Sequence, residues 1–358
     1  MSGPGRSGWV FLINVPVVVV GLFVGVGLIP ESRAAERPGL DRAGMAGSTA
    51  GLVAVTYGLI EAGQDGWGDP AALALMAVGL VLLGGFVARE RRLGRRGGQP
   101  LVDRGLFRSA SFTWGAILGG VAGLGTIGLL FTMPQYFQAV RGADSLGSGL
   151  RLLPLVGGLI AGALPASALA RTAGAKLTVT LGFGFLGAGS LVGAATGTAS
   201  GATFVAIWMV VLCAGAGMVL TAATSAALSQ LSEERSGIGS AVVQAFQKTV
   251  GPFGTAITGS VLAAAYQARL DLTGLRPAAA AAVRQSVYGG LAVASHLRSP
   301  SLSHSARAAF VHGMDASLLV SAGIAAAGVI LTLTFLHRPA ARERSEPPMR
   351  VAARVSEP

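Results

Sequence analysis

The chain has 358 residues, of which 52% are hydrophobic and 12% charged, with a formal net charge of +11. Soluble domains carry about 25% charged residues, so with a mean hydropathy of +0.63 a soluble globular domain is excluded and a polytopic all-α membrane protein is implied. Alternating segments of about ten residues, the mark of an outer-membrane barrel, are absent, and a single cysteine, Cys213, rules out an internal disulfide framework.

Nine candidate spans follow in chain order, at 9–29, 43–62, 71–88, 112–133, 149–169, 177–198, 202–222, 238–264 and 314–337. Each is long enough, at about 1.5 Å per residue, to cross a hydrocarbon core of about 30 Å. The first, "WVFLINVPVVVVGLFVGVGLIPESR", opens at Trp9 and carries Asn14, an expected interhelical hydrogen-bond residue. Its apolar run is too long for a signal peptide, and Arg33, Arg37 and Arg42 follow it, so it is read as a retained span. Glu61 and Asp65 close the second span, and Glu61 is either a proton-linked carboxylate or an interfacial one. Past the fourth span stand Pro134, Gln135 and Gln138, and Arg151 lies at the start of the fifth. These residues either line the mouth of a cavity or hydrogen-bond at headgroup level.

The pairs Gly119/Gly123, Gly158/Gly162 and Gly189/Gly193 are small residues one turn apart, which permits close helix approach. Lys248 falls about ten residues into the eighth span, near the bilayer midplane, where a lysine costs roughly 2.5–3.5 kcal/mol on insertion scales. Two readings stand: a charge lining a cavity, or a lysine paired to carbonyls at an interface. Gln244 and Gln247 lie within a turn of it and extend it into a polar stripe. Pro134 and Pro252 bend their helices without breaking the spans. In the connection 265–313, "PAAAAAVRQSVYGGLAVASHL" predicts a helix starting at Pro277 and lying along the interface. His296, His304 and His312 recur every eight residues without acidic or thiol partners, so no metal site and no cofactor is expected.

Basic residues set the orientation. With the N-terminus outside, the inner segments hold 18 Lys and Arg, against 7 outside, five of them in the long 265–313 connection. Long loops weigh little in this rule, so the net charge marks cytoplasmic loops and not a nucleic-acid partner. The C-terminus is then cytoplasmic. Nucleophile elbows, HExxH sequences and phosphate-binding loops are missing, so no enzymatic activity is expected, and any transport would be driven by an ion gradient.

Several stretches, taken in order, resemble the fourteen-span drug:proton antiporter branch of the major facilitator superfamily. "WVFLINVPV…LIPESR" is similar to its sixth helix, "GLDRAGMAGSTAGLVAVTYGLIEAGQDGWGDP" to its seventh, and "LLFTMPQYFQAVRGADSLGSGLRLLPL" to its ninth-to-tenth connection. "SGIGSAVVQAFQKTVGPFGTAITGSVLAAAY" is similar to its thirteenth helix and "AFVHGMDASLLVSAG" to the start of its fourteenth. The resemblance implies a partial superfamily fold: 1–29 as the last helix of a first half-bundle, 30–110 as two central linker helices and a basic loop, 111–337 as a second six-helix half, and 338–358 as a cytoplasmic tail. It further implies proton-coupled export of small amphipathic compounds from the plasma membrane, with the bilayer, protons and the compound as partners. The first five helices of that pattern have no counterpart here. A separately encoded first half, or a non-transporting remnant, is the alternative expectation.

Overall fold

Within a bilayer an apolar run must satisfy its backbone internally, and a helix does this within one segment. A computed structural model describes residues 14–28, 42–65, 68–95, 109–229, 231 and 233–336, and among these every regular element is helical. The chain divides into two units, Met1–Asp41 and Arg42–Pro358. The described part of the first is α1 (Asn14–Leu28), apolar on all sides as a membrane helix is.

The second unit begins with the hairpin α2 (Arg42–Asp65) and α3 (Pro70–Arg95), capped at its turn by Asp69, whose Oδ2 accepts from Ala72 N at 2.8 Å. Then come α4 (Ala110–Gln135), which runs on through a π turn over Tyr136–Val140, α5 (Ser145–Arg151) and α6 (Leu153–Thr172). The remainder is α7 (Ala175–Gly193), α8 (Ala202–Leu228), α9 (Glu233–Arg269), α10 (Pro277–Gln285), α11 (Val287–His296) and α12 (Pro300–Phe335). Among the described residues, seven helices are long and apolar enough to cross a membrane. The first expected span begins at residue 9, so 9–13 and 29 lie outside the described residues. The eighth forms as a single long helix, α9, whose polar residues keep it out of the seven.

Helix α8 is the centre of the second unit. It packs on α4, α6 and α7, while α12 closes against α4, α7, α9 and α11. Trp208, Met209, Leu212 and Val219 of α8 are buried with Phe183 and Leu186 of α7 and Phe310, Met314 and Leu318 of α12. In lipid such packing rests on van der Waals contact, since hydrocarbon tails are as apolar as leucine. Small residues make it close: Gly158 and Gly162 of α6 lie on the backbone of Val210 and Ala214, and Gly189 of α7 lies on Leu212. Gly123, in contrast, faces open space. Several buried hydroxyls are satisfied within their own helices, as with Thr126 to Ala122 O (2.9 Å) and Thr132 to Gly128 O (2.9 Å), while Ser148 Oγ and Thr196 Oγ1 are buried without a partner among the described residues. Ser317 also reaches across to Thr258 O of α9 at 3.1 Å.

Contacts tie the helix ends together. At one end Trp114 stacks on Phe335 at 4.1 Å, and Lys176 Nζ donates to Leu333 O at 2.6 Å. At the other, Tyr136 Oη donates to Gly197 O (3.1 Å) and Arg141 Nη1 to Thr198 O (3.0 Å).

Helices α3, α8 and α9 run five to seven residues past the expected ends, and three segments are built differently from the sequence reading. The fifth span is interrupted at Leu152, because Pro154 lacks the N–H that would continue the ladder. The single helix expected from Pro277 is two, broken at Ser286, whose Oγ accepts from Gly289 N at 3.1 Å and caps α11. Val283, Ala294 and Leu302 make a small core with Leu270, Leu272 and Leu275. Finally, the last helix starts at Pro300, not 314, with Ser299 Oγ accepting from Leu302 N at 3.3 Å. Residues 300–313, expected in a loop, are helical.

Candidate functional site

The polar residues of α9 occupy two sides of one helix. Successive residues are about 100° apart around the axis, so neighbours Gln247 and Lys248 point in different directions. Gln247 turns toward α4 and packs its amide on Gly119; its Nε2 is buried without a hydrogen-bond partner among the described residues. Gln244 and Lys248 are exposed on the other side. The expected single stripe is therefore divided by the packing of α4 on one side and α2 on the other.

Lys248 opens into a groove of about 350 Å³. The wall is Leu52, Val53, Thr56, Tyr57 and Ile60 of α2, and Ala245, Lys248 and Thr249 of α9. Below it α2 and α9 are in direct contact, through buried Val55, Leu59 and Ala256. Helix α2, expected as a linker helix, supplies most of this wall. Pro252 lies four residues after Lys248 and has no N–H, so the Lys248 carbonyl loses its usual helical donor. Glu61 is half-buried and interacts electrostatically with Tyr57, one turn away on α2.

The remaining sequence-selected residues gather elsewhere. Gln135 Nε2 donates to Phe131 O of its own helix at 3.1 Å. Gln138 is half-buried in the π turn, and exposed Arg151 holds its guanidinium 6.0 Å from the centre of the Phe137 ring. Sixteen residues of α4 separate Gly119 from Gln135, about 24 Å along the axis. The candidates thus form two groups at different depths.

Sequence reasoning passed over Asp315. It stands on α12, half-buried, with Oδ1 buried and unbonded among the described residues. Tyr136 is near enough to feel both its charge and that of Arg141. Asp315 lies twenty residues from Phe335, about 30 Å along the axis, a length comparable to the thickness of a hydrocarbon core. The signal was present as a lone acid in "AFVHGMDASLLVSAG", but starting the helix at 314 made it a terminal residue.

Beyond the spans, Tyr266 Oη donates to Val283 O (2.9 Å), with Ser286 O at 3.2 Å, and burial pushes its hydroxyl up to about 12. The Asp271 carboxylate accepts from Thr273 Oγ1 (2.7 Å) and Thr273 N (3.0 Å), which holds it below its ordinary value. Among the described residues no three His, Cys, Asp or Glu side chains come together as a metal site.

Residues 5–256 match the family model described as Major Facilitator Superfamily. The chain is 29% identical over 341 residues to a tetracenomycin C resistance and export protein of Streptomyces glaucescens, covering 91% of this chain and 62% of that protein. It is 32% identical over 332 residues to the multidrug efflux pump LfrA of Mycolicibacterium smegmatis, covering 90% and 65% respectively. It is 31% identical over 263 residues to a probable actinorhodin transporter of Streptomyces coelicolor, covering 71% and 45%. The chain therefore spans less than two thirds of the length of each of these relatives.

Proposed function

This chain belongs to the Major Facilitator Superfamily, and we propose that it serves a secondary active exporter of small amphipathic compounds in the plasma membrane. The observation that carries this reading is the similarity, over about nine tenths of the chain, to proteins named for export and efflux. It is supported by a helical unit that presents Gln244 and Lys248 on an open face of α9.

Within this reading α1 corresponds to the sixth helix of the fourteen-span pattern. The hairpin α2–α3 corresponds to the two linker helices, and α4 to α12 to the second six-span half. Transporters of this superfamily rock two halves about a site near the midplane, and α9 contributes Lys248 at that depth. Proton exchange calls for a carboxylate that spends part of the cycle shielded from water and unpaired. Asp315 meets that requirement, and Glu61, which interacts with the neighbouring Tyr57, meets it less well. The basic connections put the N-terminal end outside and the C-terminal end in the cytoplasm.

The test is accumulation of a fluorescent amphipathic dye in cells expressing the chain. Lower accumulation than in control cells, restored by a proton uncoupler, is expected. Equal accumulation with and without the chain overturns the reading.

A further inference from the structure

Lys248 is fifteen residues from the start of α9, about 22 Å along its axis. A charge at this depth is expensive, and intramembrane charges normally face a cavity with a partner. Among the described residues the Lys248 ammonium has neither a hydrogen-bond nor an ion-pair partner, and it is the one charged residue lining the α2–α9 groove. The Thr249 hydroxyl is already given to Ala245 O at 2.8 Å and Tyr57 interacts with the Glu61 carboxylate, which leaves the Thr56 hydroxyl as the neutral polar group open to the groove. What remains free to meet a ligand is one positive charge and the Thr56 hydroxyl beside an otherwise apolar wall.

The geometry points to this groove as the binding site of a monoanionic amphipath, its anionic group on the Lys248 ammonium and its apolar body against Leu52, Val53 and Ile60. At about 350 Å³ the groove has the size of a small-molecule pocket, at the lower end of the usual 300–1,000 Å³ range. The occupant is cargo and not a membrane lipid, because lipid headgroups lie at the interface, whereas Lys248 stands at mid-span. The site so built disfavours cations. This inference deepens the exporter reading and rests on it only in calling the ligand cargo.

The test uses the full chain in phosphatidylcholine nanodiscs, with empty nanodiscs as baseline. The probes are 1-anilinonaphthalene-8-sulfonate and N-phenyl-1-naphthylamine, which share a ring system and differ in the sulfonate. Lys248→Gln is expected to weaken sulfonate binding about tenfold or more and to leave the neutral probe within about twofold. Lys248→Arg should keep both. Ile60→Trp, which fills the groove without touching the charge, should weaken both. Sulfonate binding equal in wild type and Lys248→Gln, or parallel loss of both probes in that variant, overturns the proposal. Repeating the titration in phosphatidylglycerol nanodiscs separates cargo from lipid: loss of all Lys248-dependent binding there assigns the groove to lipid and also overturns it. Binding needs no ion gradient. Lys248-dependent binding without efflux therefore supports the groove and refutes the exporter reading, while efflux without such binding refutes the groove alone.

Discussion

The contact of α6 with α8 gives the sharpest test of how this helical unit holds together. A Cβ placed on Gly158 would lie 2.6 Å from Val210 O and 2.8 Å from Val210 Cα. Those are backbone atoms and cannot rotate away. Favourable carbon contacts begin near 3.5 Å, so α6 would have to withdraw by about 1 Å. Gly162 is closer still, with its Cβ position against the carbonyl of Ala214. A gap of 1 Å forfeits between a quarter and a half of each pairwise attraction along the seam, and overpacking costs typically 1–3 kcal/mol. Gly162→Ala is therefore expected to destabilise by about 2 kcal/mol, or roughly thirtyfold in the folded-to-unfolded ratio. Gly157, the adjacent residue, has no neighbour within 4 Å, so Gly157→Ala should be neutral or gain a few tenths of a kcal/mol from helix propensity. One withdrawal relieves both clashes, so the double variant Gly158→Ala/Gly162→Ala should cost less than the sum of the single ones. Unfolding of the detergent-solubilised protein, followed by fluorescence of buried Trp208, measures all four. Equal stability of the Gly162 and Gly157 variants, or strict additivity in the double, would refute the argument that backbone contact sets this seam.

Three further expectations follow from other contacts. Lys176→Met removes the ammonium that caps the end of α12 at Leu333 O, costing about 1 kcal/mol; amide exchange over 331–335 should quicken about fivefold, and unchanged exchange would show the contact to be idle. Tyr266→Phe should loosen α10 and α11 by about 1 kcal/mol. Because the Tyr266 hydroxyl is raised from 10.0 to about 12, its contribution is fully present below pH 10 and lost as pH rises through about 12. Wild type should lose protection of this region over that window and the Phe variant should not. Asp315→Asn should leave the melting temperature within about 2 °C, because no bond to Oδ1 is broken. Uncoupler-sensitive efflux should fall at least about tenfold in that variant, and wild-type efflux would remove Asp315 from the proton path.

Which of these features the sequence disclosed depends on what kind of signal each one needs. Long uncharged runs identify helices that cross lipid, because burial of the backbone leaves few alternatives, and the helix ends came within a few residues for α2, α4 and α7. Hydropathy fails where a helix continues past the apolar layer. Residues 300–313, with their serines and arginine, resemble a loop by composition, yet Ser299 and Pro300 form a sound helix start. Moving that boundary is what turned Asp315 from a terminal carboxylate into one within the helix. Gln247 and Lys248 were legible as polar residues at mid-span, but which neighbour each would face depends on where α4 and α2 pack, and that is a tertiary fact.

The placement of α2 has the widest consequence. Helix α2, expected as one of two central linker helices, forms most of the wall opposite Lys248 and is anchored to α9 through Val55, Leu59 and Ala256. Opening or narrowing of the groove is then a matter of α9 sliding or tilting against α2. Pro252, which frees the Lys248 carbonyl and weakens α9 next to that anchor, is the natural place for such a tilt. If the linker hairpin moves with the second half, the groove keeps its shape through the transport cycle; if it stays behind, each cycle rebuilds the groove around its cargo. A disulfide between cysteines introduced at Leu59 and Ala256 separates the two cases, since locking α2 to α9 leaves efflux intact in the first and stops it in the second.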